Sequence, residues 1–234
     1  MDVFLTPGDI TDLPDIAIAI DVLRATSSMV VALARGAKAI IPVSALEKAR
    51  ELKAQNPDAL LGGERESLKP QDFDLGNSPF DYEQVKGKEI IMTTSNGTKL
   101  IERMKKARQL YISSFLNVKS VAEKVIVSGC DAIGIGCAGN RGKLALEDVL
   151  CAGALIKNIT STAKKVELTD SAVVALNEYM MLGKELERVL KTVASHGKAL
   201  VRKGFGKDVA FCAKIDMFSI VPVYIEGKVV RNGL

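Results

Sequence analysis

The stretch Ile16-Ala17-Ile18-Ala19-Ile20-Asp21-Val22-Leu23-Arg24-Ala25-Thr26-Ser27-Ser28 divides into three parts, and the fold follows from that division. Residues 16–20 are a short, Ile-rich apolar run that suits a strand buried on both faces. Residues 21–26 form a polar link, and 27–35 read as a helix closed by Gly36. The same unit recurs downstream. Residues 39–43 predict a strand. Ser44, with Glu47 three positions on, has the form of a capping box that opens a helix ending near Asn56-Pro57. Further strands are predicted at 59–61, 89–94, 110–113 and 132–137. Helices are predicted from Lys99, from Asn117 to about Val127, and over about 146–159. Residues 66–88 show little periodicity. This β-loop-α alternation implies an α/β fold, a layered α/β/α arrangement on a largely parallel or mixed sheet.

The pattern changes after residue 169. Thr169 caps a helix running to about 182, and a second covers about 184–195, ending at His196-Gly197. A short one starts near 207, and 220–225 is a late strand. No linker or repeat stands out, so 1–234 is read as one domain.

Several function classes are disfavoured by composition. The net charge is +4, Lys and Arg are scattered and Trp is absent, unlike the dense basic stripe with aromatics of a nucleic-acid binder. A mild positive surplus suits steering of a small anion. The start, Met1-Asp2-Val3-Phe4-Leu5-Thr6-Pro7, lacks the basic and apolar segments of a signal peptide. The apolar runs at 16–20 and 121–127 are far too short to span a bilayer, so no membrane association and a cytoplasmic location are expected. Cys130, Cys137, Cys151 and Cys212 show no zinc or redox spacing, and buried reduced thiols are the expected reading.

In open α/β sheets, ligands bind beyond the carboxyl ends of the strands, and polar residues concentrate there in this chain. Asp21, Arg24, Thr26 and Ser27 stand just before a helix, whose free N–H groups favour phosphate. Arg24 would add a bidentate clamp, and Asp21 would suit a divalent metal. A plain N-cap and a local Asp21–Arg24 ion pair account for the same residues equally well. After 89–94 come Ser95, Asn96, Gly97 and Thr98. Gly97 lets backbone approach an anion closely, although Asn-Gly is also a common turn. Glu64-Arg65 follows two glycines at another strand end. Asp72, Asp74 and Asn77 lie in the aperiodic stretch, and Glu147-Asp148 open a helix after the 139–142 loop. Such oxygen ligands suit Mg²⁺, and acids in a first turn also complement the helix dipole. Repetition at successive strand ends is what favours a site.

Other mechanisms find little support. His196 is the only histidine and reads as a helix C-cap beside Gly197. Cys137 and Arg141 are four apart, so the phosphate cradle of cysteine phosphatases is missing, and no Asp-x-Asp-x-Thr segment exists.

The segments IDVLRATSSMVVALARGAKAIIPV, GGERESLKPQDFDLGNSP, TTSNGTKLI, SSFLNVKSVAE, CAGNRGKLALEDVLCAG and SHGKAL, taken together and in order, resemble the 2-phosphosulfolactate phosphatase (ComB-like) family. Ser28 and Ser95 stand where threonine is expected in many relatives. The resemblance implies an oligomeric, homodimeric α/β hydrolase. It would be Mg²⁺-dependent and cleave 2-phospho-3-sulfolactate to 3-sulfolactate and phosphate, as in coenzyme M biosynthesis. On that basis Asp21, Glu64 and Asp148 are expected to hold Mg²⁺, and Asp21, Arg24, Glu64 and Asn96 to form the catalytic set. Arg24, Thr26, Ser27, Thr94, Asn96, Gly97 and Thr98 would bind the phosphate side of the substrate, with Arg65 and Arg141 on its carboxylate or sulfonate. A non-catalytic sensor or carrier of a small phosphorylated acid is the competing expectation.

Overall fold

A computed structural model describes residues 1–163 and 165–232. In chain order the elements are β1 (Asp2–Phe4), β2 (Ile16–Ile20), α1 (Ala25–Ala34), β3 (Ala39–Pro42), α2 (Leu46–Gln55), β4 (Leu60–Gly63), β5 (Glu89–Thr93), α3 (Gly97–Met104), β6 (Gln109–Ser113), α4 (Val118–Ser128), β7 (Ile133–Cys137), α5 (Leu146–Thr160), α6 (Asp170–Leu182), α7 (Leu186–Thr192), α8 (Ser195–Arg202), α9 (Gly206–Cys212), β8 (Pro222–Ile225) and β9 (Lys228–Arg231). All nine strands share one sheet, in the order β1-β7-β2-β6-β8-β9-β3-β5-β4.

The sheet is built from two parallel blocks. One is β1-β7-β2-β6 and the other β3-β5-β4. Between them lies the antiparallel hairpin β8–β9. Three successive antiparallel pairings separate β6 from β3, so the two blocks run in opposite directions.

Alternation along β2 explains the layers. Ile16, Ile18 and Ile20 pack with Val121 and Val125 of α4 and Leu150, Leu155 and Ile159 of α5. Ala17 and Ala19 face the other way, among Met29, Val30 and Leu33 of α1 and Leu100, Ile101 and Met104 of α3. Alanines on that face leave room for two helices to lie close. Ile40, Ile90 and Met92 of the second block join the same cluster, so α1 is enclosed by both blocks and is buried from Ala25 to Leu33. This is why 27–35 carries no amphipathic stripe. Behind the second block, Ala49 of α2 packs on Leu61 and Ile91.

The layered α/β/α architecture matches the sequence reading, with differences of detail. Strands β1 and β9 were not foreseen. Ser44 does not cap α2: Ala45 stands at the N-cap without a side-chain bond, and the Ser44 carbonyl instead accepts from Arg65. The expected helix over 184–195 is α7 alone, and α8 begins where that helix was expected to stop. Thr169 does cap α6, accepting the Ala172 N–H. The four cysteines are free, and all but Cys130 are buried. No helix among the described residues is long and apolar enough to cross a membrane.

Candidate active site

Loops from the carboxyl ends of β2, β4, β5 and β7 meet at one cavity of about 500 Å³. β2 contributes Asp21 and Arg24, β4 contributes Glu64, Glu66 and Ser67, β5 contributes Ser95 and Asn96, and β7 contributes Asn140 and Arg141. Asn77, one face of α8 with His196, Ala199 and Leu200, and Lys203 just past its end complete the wall. A larger cavity of about 830 Å³ opens beside the start of β7, away from these loops.

Asp21 leads into α1. Its Oδ1 accepts the Ala25 N–H at 3.3 Å, so the carboxylate sits at the positive end of a buried helix. Gly97 makes this arrangement possible. A Cβ there would fall 2.6 Å from the Ala25 Cβ and 2.7 Å from Asp21 Oδ2. Only a glycine lets the first turn of α3 approach Asp21 so closely. Burial pushes the Asp21 carboxyl up to about 6 against the nearby His196, with Glu64 and Glu147 adding to the rise.

Glu64 is fixed by the backbone. Oε2 accepts the Ser67 N–H and Oε1 accepts the Ser95 N–H, each at 2.7 Å, which ties the β4 loop to the β5 loop. Asp148 does the same for the β2 and β7 loops, accepting Val22 N–H at 2.8 Å and Gly139 N–H at 3.1 Å. It is fully enclosed and does not line the cavity, and burial beside Asp21 and Glu147 holds its carboxyl well above the usual range.

The remaining expected residues separate into two groups. Arg24, Asn96 and Arg141 reach the cavity, whereas Thr26, Ser27, Thr94, Thr98 and Arg65 do not line it. Thr26 Oγ1 donates to the Asp21 carbonyl and Ser27 Oγ to the Val22 carbonyl. Thr94 and Thr98 cap one another, Thr98 N–H on Thr94 Oγ1 and Thr94 N–H on Thr98 Oγ1. Arg65 turns back onto the Glu64 and Ser44 carbonyls and Thr93 Oγ1. Arg24 lies at the wall with its fork occupied: Nη1 donates to Asp208 Oδ2 at 2.6 Å, Nη2 donates to the Ser67 carbonyl at 2.7 Å, and the guanidinium stacks 4.1 Å from the Phe205 ring centroid. These residues shape the loops that carry the cavity.

Sequence reasoning missed His196, Lys203 and Ser67, and gave Glu147 no partner. His196 Nδ1 lies 2.9 Å from Glu147 Oε1. Burial draws the imidazole down, but the hydrogen bond and charge of Glu147, with Asp21 behind, outweigh it and raise its pKa overall. The signal was present as the spacing 196, 199, 200, 203, which is one helix face. It is legible only if the helix starts at Ser195.

A divalent cation fits this donor set in one way. Among the described residues no three Asp, Glu, His or Cys side chains already stand together in coordinating position. Mg²⁺ does not demand that, since it commonly takes one or two carboxylates and completes its shell with water and phosphate oxygens. Asp21 and Glu64 are buried at the cavity wall, and among the described residues neither forms a direct ion pair; Asp21 is already hard to ionise even with His196 nearby. A cation between them would relieve that cost.

A mixed α/β sheet whose strand-end loops gather buried carboxylates and cationic side chains around one cavity has the layout of α/β enzymes, which bind ligands at strand ends. The chain belongs to the 2-phosphosulpholactate phosphatase family, which it matches over residues 4–227. It is 38% identical to a "Probable 2-phosphosulfolactate phosphatase" of Pseudothermotoga lettingae, over 99% of both chains. A Thermotoga petrophila protein of the same description is 42% identical over 90% of this chain and 89% of its own. One from Clostridium acetobutylicum is 39% identical over 91% of each. The family is named for a phosphoric monoester hydrolase, and the resemblance drawn from the sequence motifs is borne out.

Proposed function

We propose that the chain hydrolyses 2-phospho-3-sulfolactate to 3-sulfolactate and phosphate with Mg²⁺ as cofactor. The observation that carries this reading is the meeting of Asp21 and Glu64 with Ser95, Asn96, Arg141 and Lys203 around one cavity. Asp21 and Glu64 would hold the cation, which when bound supplies charge to polarise the phosphoryl group. Asn96, at the N-cap of α3, receives the phosphate. Arg141 and Lys203 grip the carboxylate and sulfonate, which keeps the ester bond above Asp21. Phosphoryl transfer depends chiefly on such positioning and charge stabilisation. Arg24 acts from behind, pinning the Ser67 carbonyl and hence the β4 loop. A sensor or carrier of the same anion would have no use for two buried carboxylates, outside any direct ion pair, facing it, so the enzyme is favoured.

The test is phosphate release from 2-phospho-3-sulfolactate with Mg²⁺ and with EDTA. Turnover abolished by EDTA and restored by Mg²⁺ is expected. Absence of release from this substrate and from a panel of phosphorylated hydroxyacids would sink the reading.

A further inference from the structure

We propose that His196 is the proton donor to the leaving-group oxygen, oriented by Glu147; the inference rests on the hydrolytic reading above. His196 lines the cavity, while Glu147, in the first turn of α5, does not and is 1% exposed. With Nδ1 held 2.9 Å from Glu147 Oε1, that edge of the ring faces protein. The opposite edge, carrying Nε2, is the one left to the cavity that holds Asp21, Asn96 and Arg141. The ring's position is set by backbone packing. A Cβ on the next residue, Gly197, would fall 1.9 Å from the Leu190 carbonyl oxygen, so α8 lies directly against α7.

The site's carboxylates differ in a way that points to Glu147. Glu64 and Asp148 each give both oxygens to backbone N–H groups, Glu64 at the cavity wall and Asp148 behind it. Glu147 gives Oε1 to His196, and its buried Oε2 has no hydrogen-bond partner among the described residues. Its one polar partner among the described residues is a histidine at the cavity wall. A carboxylate behind an imidazole fixes the ring and favours its cationic form, with Nε2 as the outward donor.

In the step, the bond between phosphorus and the ester oxygen breaks and its electron pair stays on that oxygen. Nε2 of His196 gives the oxygen its proton, and the group leaves as the alcohol. The attacking water forms the new P–O bond. One of its protons stays on the phosphate product and the other passes to solvent, from which the imidazole is reprotonated.

A proton donor matters in proportion to the basicity of the leaving group. The experiment compares the wild-type chain, loaded with Mg²⁺, and His196→Asn across phosphomonoesters that the wild type turns over, from p-nitrophenyl phosphate to 2-phospho-3-sulfolactate. The variant is expected to lose roughly 10²–10⁴-fold in kcat on the alkyl ester and less than about tenfold on the aryl ester. Equal losses on both would overturn the proposal, since a base or a structural tether is blind to the leaving group. So would an undiminished alkyl rate. No wild-type release from the alkyl ester overturns the hydrolytic reading and this inference with it. If His196→Asn does not fold, Glu147→Gln, which keeps the side chain's size, carries the same comparison with the same outcomes.

Discussion

Asp148, in the first turn of α5, accepts the N–H of Val22 at 2.8 Å, a residue 126 positions earlier in the chain. Its other oxygen holds Gly139, so one carboxylate fastens the β2 loop to the β7 loop. It was expected as a metal ligand, and its position is that of a strut.

Asp148→Ala leaves two enclosed N–H groups without an acceptor. Each such group costs about 1–3 kcal/mol. The melting temperature is expected to fall by roughly 5–15 °C. Mg²⁺ affinity, titrated calorimetrically well below the transition, should fall less than in Asp21→Asn. The reverse order would return Asp148 to the metal shell.

The Arg24–Asp208 pair, 2.6 Å apart and nearly free of solvent, is expected to dominate the chain's ion pairs energetically. Asp208→Ala strands a buried guanidinium, at about 3–5 kcal/mol, and the melting temperature should drop by roughly 6–20 °C. Asp72→Ala breaks the exposed Arg50–Asp72 pair and should leave the melting temperature essentially unchanged.

Asp21 gives a pH dependence whose sign is set by its raised pKa. Burial, with smaller contributions from Glu64 and Glu147, lifts it from 3.8 to about 6. An acid raised in the native state binds its proton more tightly there, so stability falls as pH rises from about 4 to about 6 and stays lowered above. In EDTA, Asp21→Asn should therefore melt above the wild type at pH 8 and converge with it near pH 4. Adding Mg²⁺ at pH 8 should narrow the gap by stabilising the wild type alone. A variant that melts lower at pH 8 would show that the ionised carboxylate is not costly.

Gly97→Ala places a methyl against Ala25 and Asp21 while favouring the helix it opens. The expected result is a loss of at least about tenfold in kcat/KM, equivalent to about 1.4 kcal/mol, with a melting temperature lowered by a few degrees, since overpacking costs about 1–3 kcal/mol against a propensity gain of about 1 kcal/mol. Unchanged kinetics would mean that α3 has room to shift.

Much of the architecture was legible because its signals are local. The Ile-Ala alternation at 16–20 and the strand–loop–helix spacing around Asp21, Glu64 and Asn96 follow from side-chain period and turn chemistry. The convergence of those loops on one cavity was likewise foreseen from the rule for strand ends. What escaped depends on packing between distant segments. Thr26, Ser27, Thr94 and Thr98 have the chemistry of phosphate donors, and only the folded chain shows their hydroxyls turned to backbone partners. Arg24 and Arg65 have carbonyl or carboxylate partners up to 184 residues away. His196 was misplaced because the glycine after it reads as a helix terminator. Here Gly197 lies inside α8, required by contact with Leu190 rather than by a turn.

The hairpin β8–β9 joins the two parallel blocks at the middle of the sheet, yet every other strand precedes it in sequence. During vectorial synthesis, both blocks and the helices that cover them can form while the seam between them is still open. The edges of β6 and β3 must wait for residues 222–231 to emerge. That interval exposes two unpaired strand edges at once, and it is the stage at which the nascent chain is most open to mispairing with another copy.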